Sequence, residues 1–412
     1  MLEGETAGGI PITSADSQGL VHRRIDTLDS YRALAVLAVL SFHYTVRWAA
    51  PKDSTQYLAS GAMFNWLAPL HCGFLGVEFF FMISGFVILM TLERCRNLGD
   101  FAIRRLARLW PALMLAATLT TAVVFCLGPD DWKPSWADYF TSVALIDPGI
   151  VSQLLHGQSI KWVDGAYWSL WTELCFYAWA SLIYLMVRKR FVIAWLALFV
   201  ALLVGQILYH GGISSLFAAS PPMLPIHWVI KFFGNWLPEY LFIPHLPYFT
   251  IGICSYEVWS NGKYRRTAIG GIIISVVLVY FWIAAKTNIY AELDTAAAGG
   301  VTVAMFGLFI LFAFDHPVIG LLKARPLVAL GQASYSLYLL HQYIGVAIMR
   351  RAIAFGIPYL VILPITVSAM VGSSLIVFRF VELPAKAWIL QRAPGIVSAI
   401  DRYLPVLSYK AR

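Results

Sequence analysis

Five near-uncharged stretches dominate this chain: Leu109–Leu127, Phe191–Tyr209, Thr267–Ala285, Thr295–Phe314 and Ala352–Phe378. Each supplies the roughly 20 apolar residues that a membrane-spanning helix needs. Less pure runs cover Leu28–Trp48, Cys72–Leu92, Ala166–Val187, Leu241–Trp259 and Pro326–Met349. Charged residues make up only 13% of the chain, against about 25% in a soluble globular protein. The expected fold is therefore all-α: a polytopic membrane protein with about ten transmembrane helices.

A net charge of +8 could signal a nucleic-acid partner, but the positive-inside rule accounts for the basic residues better. With the N-terminus in the cytoplasm, the segments falling inside hold 21 of the 30 Lys and Arg residues, and those outside hold 8. Arg32, within a run, completes the set. Both termini are expected in the cytoplasm, with no nucleic-acid partner. Residues 1–27 are polar, show no signal-peptide pattern, and are expected to be a disordered cytoplasmic tail. The membrane domain is expected over 28–390, and a short cytoplasmic tail over 391–412. Two long connections interrupt the pattern. Gly128–Gly165 is expected outside. His210–Tyr240 is proline-broken, too irregular to span, and apolar enough to be interfacial or re-entrant. The five cysteines show no Cys/His spacing of a metal site and are read as small buried hydrophobes; no metal is expected.

Arg32 precedes His43 by eleven residues in the first run. Eleven residues of helix end about 20° past three full turns, so both side chains face one way, about 16.5 Å apart along the axis. Ionisable residues inside a membrane span are costly and are functional candidates by default. A second basic group follows: Arg94, Arg96, Arg104, Arg105 and Arg108, just before Pro111. Arg104 and Arg105 stand at i−4 and i−3 from Arg108, on a shared helix face. Such a segment either sets topology and contacts lipid headgroups or binds phosphate through guanidinium forks. His43 and His341 fall about 20 Å from the inner face, and Glu78 and Glu173 about 9–11 Å below the outer one. In a core about 30 Å thick these four share a level, and one polar pocket holding a base and its orienting acid is expected. Ser84-Gly85 suits a small-residue packing face. Trp168 suits the interface. Glu382 is expected to close an ion pair with Arg379 or an arginine of the basic segment.

Taken in order, these stretches resemble the acyltransferase-3 family of membrane acyltransferases. The resemblance rests on Leu28-Asp29-Ser30-Tyr31-Arg32-Ala33 with His43, and on Gly76-Val77-Glu78-Phe79-Phe80-Phe81-Met82-Ile83-Ser84-Gly85-Phe86. It continues with Arg104-Arg105-Leu106-Ala107-Arg108 and Pro111, then Tyr167-Trp168-Ser169-Leu170-Trp171-Thr172-Glu173. Ser334-Tyr335-Ser336-Leu337-Tyr338-Leu339-Leu340-His341 and Glu382-Leu383-Pro384 complete it. The last histidine motif lacks the preceding tryptophan and following proline of many relatives. Some relatives carry an additional C-terminal hydrolase-like domain; with about 30 residues left after Glu382, none is expected here.

The resemblance implies ten core helices in a bacterial inner membrane and transfer of an acyl group, usually acetyl, from acyl-CoA to a hydroxyl of a surface or exported glycan. It implies His43 as the catalytic residue, Arg32 as its signature partner, and Arg105 and Arg108, with Arg104 beside them, as contacts for the CoA phosphates. Glu173 or Glu78 would orient the imidazole, and Ser84, Trp168 and His341 would line the substrate path. Three other functions remain open at this level: the same chemistry on an antibiotic or other small molecule, a polysaccharide transporter, and a non-catalytic export component.

Overall fold

The computed structural model describes residues 14–48, 57–58, 63–64, 66–155, 157–208, 243–287, 295–404, 407 and 409. Most of these residues are helical, without a β-strand among them. The described parts of the apolar runs are mainly helix, the run 352–378 being divided by a turn at 355–358. Among the described residues, four helices are long and apolar enough to cross a membrane: Leu75–Leu92, Leu98–Leu127, Ala296–Ala313 and the continuous stretch Tyr359–Tyr403. The connection at 210–240 lies outside the described residues, as do residues 1–13 of the expected N-terminal tail.

Helix extends past both expected domain edges. The first helix begins at Ser14 rather than Leu28. Its polar first half adds turns to a helix already nucleated by packing, so each residue gains a hydrogen bond without a new nucleation cost. At the other end, residues 391–403 continue the helix Leu383–Tyr403. That helix docks on the start of Leu98–Leu127: Asn97 Nδ2 donates to Val397 O at 3.1 Å and to Asp401 Oδ1 at 2.8 Å. Asn97 also caps the arginine-bearing helix, accepting from the Asp100 N–H at 2.8 Å.

Close helix contacts fix the bundle. A Cβ on Gly85 would sit 2.3 Å from Phe249 O, and one on Gly252 would sit 2.0 Å from Met82 O. Leu75–Leu92 and Leu246–Trp259 therefore cross backbone to backbone, as small residues permit in a membrane bundle. The Gly85 half of the Ser84-Gly85 pair makes this contact, leaving Ser84 for a polar one.

The described residues of the connection 128–165 include short helices tied down by side chains. Ser135 and Asp138 form a reciprocal cap on the helix Trp136–Ala144. The Asp138 carboxylate then accepts the Lys161 N–H at 2.8 Å. Tyr139 OH lies 2.9 Å from Thr118 Oγ1, and Trp110 Nε1 donates to Val143 O at 3.0 Å. The short helix thus lies antiparallel along residues 110–118. Trp132 stacks on Tyr343 with ring centroids 4.0 Å apart.

The run 326–349 is not one helix but three: Arg325–Gln332, Ser334–Leu340 and Gln342–Ala354. The second break falls at His341. Its own Nδ1 takes the Tyr338 carbonyl at 2.8 Å, and Tyr44 OH donates to the His341 carbonyl at 2.6 Å. The His341 side chain thus takes the Tyr338 carbonyl that would otherwise serve the helix ladder, whereas the His341 carbonyl keeps its ladder bond from the Gly345 N–H at 3.2 Å. The same competition acts at His43, whose Nδ1 lies 2.9 Å from Val39 O, and there the first helix widens into a π segment, His43–Arg47. A second π segment, Phe378–Glu382, ends at Glu382.

Candidate active site

The first helix carries Arg32, and His43 opens the π segment that follows it. Arg32 binds Asp29 one turn earlier at 2.5 Å and lines a narrow cavity. His43 is partly accessible, whereas His341 is fully buried, and His341 Nε2 lies 3.1 Å from His43 Nδ1. The hydrogen-bond network assigns the tautomers. His341 Nδ1 faces only a carbonyl there, so it carries the proton and its Nε2 offers a lone pair. That lone pair and Val39 O both face His43 Nδ1, which must then be the N–H. His43 Nε2 is left with a lone pair, as a base requires.

The four groups expected in one pocket separate into three clusters. His43 pairs with His341. Glu173 accepts from Ser84 Oγ at 2.6 Å and from Tyr177 OH at 2.5 Å. Glu78 pairs with His245 at 3.0 Å. The group set against the His43 imidazole is therefore His341, not Glu173 or Glu78. Counting residues along each helix gives depth but not azimuth, and azimuth sent the carboxylates to other partners. Trp168 joins the Glu78 cluster, its ring 5.3 Å from that of His245. His245 escaped notice in the sequence because it stands at the edge of the proline-broken connection; its signal was a histidine opening an apolar run.

The cavity is lined by Arg32, Ser84, Arg105, Arg108, Glu173 and Tyr338, among others. Its volume of about 60 Å³ holds roughly four waters. Arg105 is buried, donates to Thr91 Oγ1, and lies 5.5 and 5.4 Å from the Phe101 and Tyr177 rings. Its Nε has no hydrogen-bond partner among the described residues. Arg108 sits within electrostatic reach of Glu173, Tyr177, Glu382 and Asp29. Arg104 departs from the expectation: its side chain is half exposed and bound to Asp100 at 2.7 Å, off the cavity wall. The residue four positions back captured it, a helix pairing that the sequence spacing permitted equally.

Glu382 is buried and accepts from Ser336 Oγ at 3.0 Å. Its charged neighbours are Arg108, Lys386 and Arg32 rather than Arg379. Four cations (Arg32, Arg105, Arg108 and Lys386) thus face three carboxylates (Asp29, Glu173 and Glu382), an excess that an anion can satisfy. Tyr338 joins the cavity to the histidines: it lines the former, and its ring centroid is 5.7 Å from that of His341. No group of three His, Cys, Asp or Glu residues positioned for a metal ion occurs among the described residues.

The family model described as "Acyltransferase domain" matches residues 25–379. The chain is 25% identical over 406 residues to O-acetyltransferase OatA of Staphylococcus aureus, covering 88% of this chain and 57% of that protein. It is 27% identical over 336 residues to acyltransferase MdmB of Streptomyces mycarofaciens, covering 77% and 78% of the two chains. A shorter match, 33% over 112 residues, covers 25% of this chain and 14% of the putative peptidoglycan O-acetyltransferase YrhL of Bacillus subtilis. No solved structure matches. With the family model matching most of its length, the chain belongs to the acyltransferase-3 family.

Proposed function

We propose that this protein is a membrane-embedded O-acyltransferase that moves an acetyl group from acetyl-CoA to a hydroxyl of a surface or exported glycan. The observation that carries the reading is the His43–His341 pair joined through Tyr338 to an arginine-lined cavity. The donor enters from the cytoplasmic side, and Arg105 and Arg108 receive its phosphates. Arg105 keeps an unused donor for them. The narrowness of the cavity supports a short acyl group. The name of OatA supports acetyl transfer to a hydroxyl, and that of YrhL supports a peptidoglycan type of glycan as acceptor.

His43 Nε2 takes the proton of the acceptor hydroxyl as the oxygen attacks the thioester carbonyl. The carbon–sulfur bond then breaks, the proton passes from His43 to the departing thiolate, and an oxygen ester remains. His341 accepts the His43 Nδ1–H throughout, holding the ring and stabilising the transient imidazolium. That is the part a carboxylate plays beside the histidine of a hydrolytic triad. Ten spans, with both termini in the cytoplasm of a bacterial inner membrane, fit the 21-to-8 distribution of basic residues.

The test is mass spectrometry of the host's surface glycans. His43→Ala should remove the acetyl mass increment while the protein remains folded and inserted. Full acetylation with that variant would overturn the assignment.

A further inference from the structure

The outer connection ends in a carboxylate that this mechanism leaves unused. Asp164 is fully buried. Its Oδ1 accepts the Ala166 N–H at 2.9 Å, and its Oδ2 accepts the Tyr343 N–H at 2.9 Å. The first N–H belongs to the turn that leads into Trp168–Val187, the helix of Glu173. The second lies two residues beyond His341, in the first turn of Gln342–Ala354, where N–H groups have no partner within the helix. One carboxylate therefore ties together two helix starts that both serve the site. A parallel tie runs beside it: Tyr338 OH donates to Ala166 O at 2.9 Å.

We propose that Asp164 is a positioning residue, whose ionised carboxylate holds the helix break at His341 and so keeps His341 against His43. The proposal rests on His43 being the base of the transfer step. The mechanism is geometric. A carboxylate offers acceptor oxygens to both N–H groups, whereas a neutral carboxyl turns one oxygen into a donor. Protonation then leaves either Ala166 or Tyr343 without its acceptor, and the clamp opens on one side. The titratable groups facing Asp164 are Tyr44, Tyr167, Tyr338 and Tyr343, from the His43 segment and the three neighbouring elements. Burial pushes the Asp164 carboxyl up to about 7, against the pull of its two N–H donors. The clamp therefore switches near neutrality.

The experiment is the pH profile of acetyl transfer from acetyl-CoA to host glycan in membranes carrying wild type, Asp164→Asn, His341→Ala or both substitutions. In the wild type, kcat should fall about tenfold on the acid side of a limb at about 7, the region set by Asp164. Asp164→Asn should lower kcat, lose that limb and keep KM for acetyl-CoA within about twofold. In the His341→Ala background, Asp164→Asn should add almost nothing, because the two act through one geometry. Persistence of the limb in Asp164→Asn, or multiplication of the two losses, would overturn the proposal. If Asp164→Asn fails to accumulate as folded protein, the wild-type profile decides, and a flat profile across about one pH unit either side of 7 overturns it. Activity surviving in His43→Ala is a separate outcome that sinks the base assignment instead.

Discussion

His341 Nε2 meets His43 Nδ1 at 3.1 Å, from residues 298 positions apart in the chain. The pair converts an accessible imidazole into one with a fixed tautomer, and Tyr44 and Tyr338 hold the buried partner from both sides. Removing the partner should separate orientation from chemistry. His341→Ala should lower kcat by about 10²-fold with a small change in KM, whereas His43→Ala abolishes transfer. Steady-state kinetics on purified protein would check this; equal kcat in wild type and His341→Ala would refute it.

Three arginines of the basic segment, Arg104, Arg105 and Arg108, should behave differently. Arg105→Ala removes a buried guanidinium on the cavity wall, and a lost charged hydrogen bond costs about 1.5–3 kcal/mol. KM for acetyl-CoA should rise about tenfold or more, with Arg108→Ala acting in the same direction. Arg104→Ala breaks only a half-exposed pair with Asp100, and such pairs contribute about 0–1 kcal/mol. Donor titration of the three variants is the check, and an Arg104→Ala effect as large as that of Arg105→Ala would contradict the assignment.

Packing offers a test independent of activity. A methyl at Gly252 would approach Met82 O to 2.0 Å, and neither backbone can yield without moving a helix. Gly252→Ala should destabilise the protein by about 1–3 kcal/mol or more, as overpacking does. Gly205→Ala, within the helix Phe191–Leu208 where a Cβ meets nothing within 4 Å, should leave the melting temperature unchanged or raise it slightly. Thermal unfolding in detergent would compare the two.

Asp164 also predicts how stability follows pH. Its carboxyl is raised from 3.8 to about 7 in the folded state, so folding favours the protonated form. The stability tied to that proton is fully present below about pH 4 and is lost as pH rises through about 7. At about 1.4 kcal/mol per pH unit, the loss is on the order of 4 kcal/mol. The melting temperature of the wild type should thus fall between pH 5 and pH 8 relative to Asp164→Asn, by the linkage sign above. Parallel melting curves for the two proteins across that range would exclude it. Stability and transfer then pull in opposite directions, since the ionised clamp is the one that holds His341.

Much of this architecture was readable from local pattern. The described parts of the apolar runs are mainly helix because hydrocarbon leaves a backbone no other way to satisfy its polar groups. The eleven-residue spacing of Arg32 and His43 is likewise a local feature of the chain. Counting residues from the helix ends also placed His43 and His341 at one depth. Other features stayed hidden. Arg104 and Arg105 look alike in a basic run, yet one is caught by Asp100 and the other is buried against Phe101 and Tyr177. Asp164 reads as an ordinary loop carboxylate, since one of its two donors lies 179 residues away.

The chain alone determined that it would be helical and membrane-bound, and which helix would carry the arginine and the histidine, because period and hydrocarbon solvation act over a few neighbouring residues. The tertiary structure decided which imidazole, carboxylate and guanidinium would meet. Those partnerships depend on the rotation and register of whole helices, set at contacts such as Gly85 with Phe249 and Gly252 with Met82. A turn of a few tens of degrees at such a crossing gives every polar side chain above and below it a different neighbour.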